Sequence, residues 1–448
     1  MKYVVNATRK CAEHILCYNE GECMQEKKYE FIKEKRKEIP INKKKIVLQT
    51  GYVCALALLF GVIASFVIAF LQPKIEAMLY PVQKPVVSIP EDEPTETETE
   101  ATQTTESTET EVVPEGPIDM MVWQPTLEDY QMLQSQLYAI GQQANRFVVT
   151  VTGVQNNTDW FHNDYENRDQ GSGIIIANNS QELLILTEKK IIVSAQELYV
   201  TFIDDVTVPA TMKQYDGNTG IAILSVALSE IEEATMHQIA IAPLGNSLSI
   251  PQGTLAIAVG SPMGVNFSIL TGNITSTTNT ISTVDANYNI FTTDIVASEN
   301  GSGALINMKG EVIGLVMQDY SRQGDENTLT AVSISDLKTL IEKLSNGKEV
   351  AYLGLGISTV TSEIEKAYDI PRGVYVKEVK MDSPAMAAGL QSGDVIVEMD
   401  GTAVYDESAY ERRMSQVKPG DNVRIIIKRQ SADGYVSIRC DVEASKLK

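Results

Sequence analysis

The stretch that decides the fold is residues 294–315, which read DIVASENGSGALINMKGEVIGL. Ser302 lies between two glycines near the centre of this stretch, and apolar and β-branched residues flank it on both sides. This pattern predicts a tight turn that leads into a β-hairpin. A serine hydroxyl is a poor nucleophile alone, because it needs a neighbouring base to take its proton and a third group to orient that base. The role of Ser302 therefore depends on whether the rest of the chain supplies these partners.

The length and charge of the chain limit its architecture and its partners. With 448 residues, 43% of them hydrophobic, the chain is long enough for two or three domains. Its formal net charge of -22 argues against nucleic acid as a main partner, because like charges repel. The chain carries no dinucleotide-binding or P-loop glycine pattern, so we expect no cofactor.

The beginning of the chain predicts a membrane anchor. Residues 1–45 are basic, and residues 46–72 begin with a long uncharged apolar run that exceeds the roughly 20 residues a helix needs to cross a bilayer. Lysine and arginine are then absent from residues 85–145, so the positive-inside rule predicts a cytoplasmic amino terminus and an extracytoplasmic body. A cleaved signal peptide is the alternative, but the basic and apolar regions are both too long for one. We therefore predict a single-pass cell-membrane protein.

The cysteines add no predicted chemistry. Cys11, Cys17 and Cys23 lie in the basic tail, with His14 among them. Their spacing is not that of a zinc knuckle, so we expect free thiols and no metal site, with metal or redox sensing as the alternative. Cys440 is the only cysteine beyond the predicted membrane span, so a disulfide within the external body is excluded.

Two segments separate the predicted membrane span from the first folded domain. Residues 73–117 are rich in threonine, glutamate and proline and predict a disordered spacer. Residues 118–145 predict an amphipathic helix that opens at Thr126. Its apolar stripe is expected to pack on the domain that follows, with self-association of chains as the alternative. The stripe consists of Leu127, Tyr130, Leu133, Leu137 and Ile140.

Residues 146–346 predict a β-rich domain. Short β-branched runs such as GSGIII, TGIAILSV and LAIAVG are broken by Gly, Asn and Asp, with no long helical period between them. This texture is typical of an all-β barrel or sandwich.

The order of these motifs resembles the HtrA/Deg family of trypsin-like serine proteases. The motifs are, in sequence, GSGIII, TGIAILSV, APLGNS, LAIAVGSPMG, ILTGNITS and residues 294–315. The resemblance implies a chymotrypsin-like fold of two six-stranded antiparallel barrels with an active site in the cleft between them. It also implies homo-trimers, or assembly with active relatives.

Residues 349–445 resemble a PDZ domain, which commonly follows the barrels in this family. The motifs YLGLGI and SPAMAAGLQSGDVIVEMDGTAV carry the resemblance. A PDZ loop of this kind offers backbone N–H groups to the terminal carboxylate of a peptide, beside a strand edge that pairs with the rest of the peptide. The alternative is a groove occupied by neighbouring parts of the same chain. The predicted peptide-binding residues are Leu353, Gly354, Leu355, Gly356 and Ile357.

The catalytic positions that the resemblance implies are altered. Lys190 stands where the family has its histidine, and Gly220 stands where it has its aspartate. Asp216 lies four residues before Gly220 and is displaced from the position that would orient a base. The remaining histidines beyond the predicted membrane span, His162 and His237, are expected to be surface residues in loops.

The remaining catalytic parts are also in question. Asn300 replaces a glycine at the oxyanion-hole position formed with Gly301, next to the vestigial nucleophile Ser302. One alternative restores activity, namely Lys190 as a neutral general base toward Ser302, which needs a pKa lowered to about 7 or 8. Glu188 and Lys189 make this loop look solvated, which argues against that alternative.

The sequence therefore predicts a membrane-anchored, extracytoplasmic HtrA-like protein that is proteolytically inactive. We expect it to bind unfolded segments or carboxyl termini of envelope proteins through its PDZ domain, in protein quality control. The alternative is an active serine endopeptidase in which Ser302 works with a non-standard base.

Overall fold

The computed structural model describes residues 51–52, 54–62, 65, 86–92, 125–158 and 164–446. The chain divides into two compact units, 1–83 and 84–448. The described residues of the first unit are helical. Within the described parts of the chain, no helix is both long enough and apolar enough to span a bilayer. The predicted cytoplasmic tail, much of the predicted membrane span and the cysteines of the tail lie outside the described residues.

The first domain of the second unit contains two closed six-stranded barrels, as predicted. Strands β3 and β6 are almost wholly buried because both of their faces are covered, which explains their continuous apolar runs. In the first barrel the strand order is β1-β2-β3-β6-β5-β4, and in the second it is β10-β11-β12-β9-β8-β7. The first barrel comprises β1 (Val148–Thr158), β2 (Asp164–Asn178), β3 (Glu182–Glu188), β4 (Glu197–Thr201), β5 (Thr207–Tyr215) and β6 (Ile221–Ala227). The second comprises β7 (Leu255–Ser261), β8 (Ser268–Ser282), β9 (Asn287–Val296), β10 (Ser302–Ile306), β11 (Val312–Met317) and β12 (Thr328–Ser333).

Helices connect and flank the barrels. They are α1 (Leu127–Ala144), α2 (Lys189–Ile192), α3 (Glu233–Gln238) and α4 (Ile334–Ser345), with single 3₁₀ turns at Asn145–Phe147, Leu228–Glu230 and Gln318–Tyr320. Thr126 caps α1 in a reciprocal capping box with Asp129.

The apolar stripe of α1 packs only in part. Leu137 and Gly141, in the C-terminal half of the helix, are buried, and Gly141 lies against Ile269. The expectation that the whole stripe packs on the barrels is wrong for Leu127, Tyr130 and Leu133, which are exposed. The C-terminal half of the helix lies against Ile269 of β8, and the N-terminal half extends beyond this contact.

The predicted disordered spacer, 73–117, needs one correction. Residues 86–92 lie along α4, where the N–H of Ile89 donates to Glu342 and the Nζ of Lys338 lies 2.7 Å from Asp92 in an ion pair that is mostly buried. Val87 and Ile89 pack against the barrel core. A composition argument cannot detect such a segment, because it counts polar residues and not the few apolar ones that fit a groove.

The PDZ domain has its own hydrophobic core and a main sheet in the order β14-β15-β16-β18-β19, so that β14 is an edge strand. Strand β17 pairs with β16, and β13 pairs with β20. The strands are β13 (Ala351–Tyr352), β14 (Leu355–Thr359), β15 (Val374–Val379), β16 (Val395–Met399), β17 (Thr402–Ala403), β18 (Asn422–Ser431), β19 (Gly434–Glu443) and β20 (Ser445–Lys446). The helices are α5 (Ser362–Tyr368), α6 (Pro384–Ala387) and α7 (Glu407–Met414).

Candidate functional site

Ser302 begins strand β10 and is held between the two barrels. It pairs with Ser261 of β7 on one side and with Met317 of β11 on the other. Its side-chain oxygen accepts a 2.8 Å hydrogen bond from the backbone N–H of Ser172 in the first barrel. Only 2% of Ser302 is exposed. The hydroxyl group therefore bridges the barrels and is shielded from solvent.

Lys190 lies in α2, directly after β3, and its ammonium group is paired with two carboxylates. The Nζ lies 2.9 Å from Glu188 Oε2 and 3.2 Å from Asp319 Oδ1. Burial alone would lower the pKa of Lys190, but the charges of Glu188 and Asp319 and the hydrogen bond to Asp319 outweigh burial, so that the pKa lies above its usual value. Lys190 is therefore protonated at neutral pH.

Glu188 is a residue that sequence reasoning misjudged. Its place beside Lys189 and Lys190 suggested a solvated loop, yet the side chain is almost completely buried at the end of β3. Burial raises the pKa of Glu188 to about 7, although the charge of Lys190 opposes this shift. The one available signal was its position at the end of the apolar run ELLILTE, which places it in the barrel wall.

Lys190 and Gly220, the two positions at which the resemblance predicts the family's histidine and aspartate, lie close together in space. A cavity of about 240 Å³ is lined by Glu188, Lys190, Gly220 and Asp319, among others, and Ser302 is not one of its lining residues. The N–H of Lys189 donates to the Gly220 carbonyl at 2.7 Å, which fixes the two segments together. Lys190 and Gly220 are thus neighbours.

Asp216 does not replace the missing aspartate. Its Oδ2 accepts hydrogen bonds from the N–H and the hydroxyl of Thr219, at 2.9 and 2.7 Å. These bonds close the turn before β6, a structural role common for aspartate. Gly220 itself has φ of +75°, a backbone conformation that favours glycine.

The predicted oxyanion-hole residues, Asn300 and Gly301, lie in the turn that precedes β10. The N–H of Gly301 donates to the Ser298 carbonyl at 2.8 Å, within the turn that precedes β10. The side chain of Asn300 is exposed. The Gly301 N–H is therefore engaged within this turn.

The histidines supply no base in the described part of the chain. His237 lies in α3 and not in a loop, and its exposed Nε2 is 3.8 Å from Glu233 one turn earlier. His14 and His162 lie outside the described residues.

The predicted peptide-binding loop of the PDZ domain binds a carboxylate of the same chain. Asp285, in the turn between β8 and β9, accepts hydrogen bonds from the N–H groups of Leu353, Gly354 and Leu355 at 2.7, 2.9 and 3.0 Å. The hydroxyl of Tyr410 donates a fourth bond at 2.9 Å. Burial raises the pKa of Asp285, although these hydrogen bonds oppose the shift. A carboxylate held by successive backbone N–H groups is what the sequence predicted for a peptide terminus.

The other two predicted loop residues have structural positions. Gly356 pairs with Glu378 of β15, and the side chain of Ile357 is buried in the PDZ core. Asp285 was absent from the sequence-based site because it lies 68 residues before Leu353.

Comparison with known proteins agrees with this architecture. Residues 171–315 match the trypsin-like peptidase domain family and residues 351–439 match the PDZ domain family. The chain is 30% identical over 279 residues to a probable periplasmic serine endoprotease, DegP-like, of Halomonas elongata, covering 61% of this chain and 56% of that protein. It is also 30% identical over 279 residues to the serine protease Do-like HtrB of Bacillus subtilis, covering 58% of this chain and 59% of that protein.

The chain therefore combines a trypsin-like peptidase domain with a PDZ domain and is similar to HtrA-type serine proteases. A solved structure of the HtrA-type protease AlgW with a decapeptide has the same fold, with a TM-score of 0.52 at 20% identity over 70% of this chain and 99% of AlgW. The chain spans somewhat more than half the length of the two curated relatives above.

The buried carboxyl group of Glu188 predicts a pH-dependent stability of the folded chain. Its folded pKa of about 7 lies above the ordinary value of 4.5, so the folded state binds the proton more tightly than the unfolded state and loses stability as the pH rises through this window. Glutamine cannot ionise. We therefore expect the free energy of unfolding of Glu188→Gln to rise relative to that of wild type by about 1 to 3 kcal/mol as the pH increases from 5 to 8. Urea unfolding at several pH values measures this difference.

Glu299, an exposed glutamate in the turn before Ser302, supplies the matched control. Glu299→Gln should give a stability curve parallel to that of wild type over the same pH range. Parallel curves for both variants would show that Glu188 ionises as an ordinary surface carboxylate.

Proposed function

We propose that this HtrA-type chain does not cleave peptide bonds and instead binds carboxyl-terminal or unfolded segments of envelope proteins through its PDZ domain. The observation that carries the proposal is the state of Ser302. Its oxygen is buried and accepts the Ser172 N–H, so a substrate carbonyl has no open approach to it. Loss of any single triad member typically lowers turnover by roughly 10⁴ to 10⁶, and here neither the histidine nor the aspartate is present.

The surroundings of Lys190 argue against the alternative of an active endopeptidase. A general base has to accept a proton, which an ammonium group already paired with Glu188 and Asp319 does not do. The shift in the pKa of Lys190 is upward, opposite to the one that a serine-lysine dyad requires.

The proposed location is the outer side of the cell membrane. The apolar run within residues 46–72 and the basic residues before it support a single-pass anchor with the barrels and the PDZ domain outside. The name of the Halomonas relative, which describes that protein as periplasmic, agrees with this location. A homo-trimer, or assembly with active HtrA-type relatives, would let a non-catalytic chain modulate proteolysis.

The proposal predicts no proteolysis by the full chain. When the detergent-solubilised protein is incubated with casein, we expect no cleavage above the buffer control, and the same result for Ser302→Ala, because the hydroxyl has no base. Gel electrophoresis with time points over a day measures this, and trypsin serves as the positive control. Casein fragments that appear with wild type and disappear with Ser302→Ala would contradict the proposal.

A further inference from the structure

The turn between β8 and β9 occupies the groove of the PDZ domain. We call residues 283–287 the internal ligand. Besides the carboxylate bonds of Asp285, the N–H of Asp285 donates to the Leu355 carbonyl at 2.7 Å. The side-chain amide of Asn287 donates to the Ile357 carbonyl at 3.4 Å, and its backbone N–H donates to Glu411 of α7 at 2.9 Å. The internal ligand therefore lies between edge strand β14 and helix α7.

These contacts are the ones that a peptide with a free carboxyl terminus would need. A carboxylate satisfies the N–H groups of the loop, and a backbone N–H pairs with the free edge of β14. Only 7% of Asp285 is exposed, and its carboxylate accepts four hydrogen bonds. A second carboxylate could not share these donors, because two like charges in one buried site repel strongly.

The internal ligand is also fastened to the barrels. The side chain of Asn218 donates to the Val284 carbonyl at 2.7 Å and accepts from the Val284 N–H at 3.0 Å. Asn218 lies two residues before Gly220, the former aspartate position. A cavity of about 500 Å³ borders the same turn, so the turn has room to move when it leaves the groove.

We infer that the PDZ groove of this chain is closed by its own internal ligand, and that an external carboxyl terminus binds only by displacing Asp285. This inference rests on the proposed peptide-binding function. Displacement by a peptide frees the turn that Asn218 holds, so binding at the PDZ domain is linked to the cleft beside Gly220. The apparent affinity for a peptide is the affinity of the open groove multiplied by the fraction of molecules in which the groove is open. A mutation that opens the groove therefore raises the apparent affinity.

The test compares Asp285→Asn with wild type in the detergent-solubilised full chain. The amide removes the charge and one acceptor, so the internal ligand loses its hold on the loop. The probe is an array of random-sequence decapeptides with free carboxyl termini, with the same decapeptides amidated as a second array. We expect Asp285→Asn to bind free carboxyl termini at least about tenfold more tightly than wild type, with no gain on the amidated array. Hydrogen exchange at Leu353, Gly354 and Leu355 should accelerate in the variant.

The matched control is Asp205→Asn. Asp205 is exposed in the turn between β4 and β5 and has φ of +63°, close to the +60° of Asp285, so the substitution is placed in the same backbone conformation without touching the PDZ domain. Tyr410→Phe removes only one of the four donors to Asp285 and keeps the ring in the core, so it tests the inference if Asp285→Asn does not fold. We expect a gain of about two- to fivefold from Tyr410→Phe.

Each outcome separates the inference from the proposed function. Unchanged exchange at the loop amides in Asp285→Asn, or equally tight peptide binding by wild type, would overturn the inference and leave peptide binding intact. Accelerated exchange without binding of any free carboxyl terminus would support the internal ligand and refute the proposed peptide-binding function.

Discussion

Gly303→Ala is expected to destabilise the barrels by about 3 to 5 kcal/mol, the sum of backbone strain and overpacking. Gly303 has φ of +133°, and a Cβ added there would overlap the carbonyl oxygen of Val259 in the neighbouring strand. A backbone carbonyl cannot rotate away as a side chain can, so β7 and β10 would have to separate. Urea unfolding of the full chain, followed by circular dichroism, measures the effect.

Gly324→Ala is the matched control for this prediction. Gly324 has φ of +102°, and no atom lies within 4 Å of an added Cβ. The control variant should lose only about 1 to 2 kcal/mol, the strain of a left-handed residue alone. Equal losses for the two variants would contradict the close approach of β7 and β10. The Gly-Ser-Gly motif would then be explained by its turn and not by packing.

Asp394→Ala is expected to destabilise the PDZ domain by about 2 to 4 kcal/mol, since it breaks an ion pair whose carboxylate is buried and whose guanidinium is 26% exposed. Asp394 is 1% exposed, and Arg429 donates to it from Nε at 2.7 Å and from Nη2 at 2.8 Å. The carboxylate also accepts the N–H of Gln391, which would lose its partner. The same urea experiment, read from the PDZ transition, measures this loss.

Asp441→Ala tests the same kind of pair on the surface. Arg439 Nη2 lies 3.1 Å from Asp441 Oδ1, and both side chains are about half exposed. We expect a loss below about 1 kcal/mol, because exposed ion pairs gain little over their separate hydration. If Asp441→Ala cost as much as Asp394→Ala, burial would not be the source of the larger effect.

The two-barrel fold was predictable from short motifs, and the assignment of Lys190 and Gly220 to catalytic positions rests on the same motifs and stays a prediction. Strand β3, with its Leu-Thr pair near the end, and strand β6, which follows the Thr-Gly pair, keep their patterns because apolar side chains have to fill each barrel. Lys190 and Gly220 could be placed by counting along these motifs. Their surroundings could not be placed, since Asp319 approaches Lys190 from a segment 129 residues further along the chain.

Errors in the sequence-based prediction arose where burial decided the outcome. Glu188 looked solvated because its neighbours are charged, yet the barrel wall covers it. Leu127 and Tyr130 continue the apolar stripe of α1, yet they extend past the surface on which Leu137 packs. Residue type indicates which side chains prefer burial, whereas the neighbouring elements determine which of them are covered.

For Ser302 and the PDZ loop, the sequence by itself determined residue types and local turns: a glycine-flanked serine without histidine or aspartate, and a loop that can hold a carboxylate. Only the tertiary structure decided what these groups contact. Ser172 holds the Ser302 oxygen across 130 positions of chain, and Asp285 reaches Leu353 across 68. Such contacts follow from the packing of barrel on barrel and of barrel on PDZ domain, and local sequence patterns do not encode that packing.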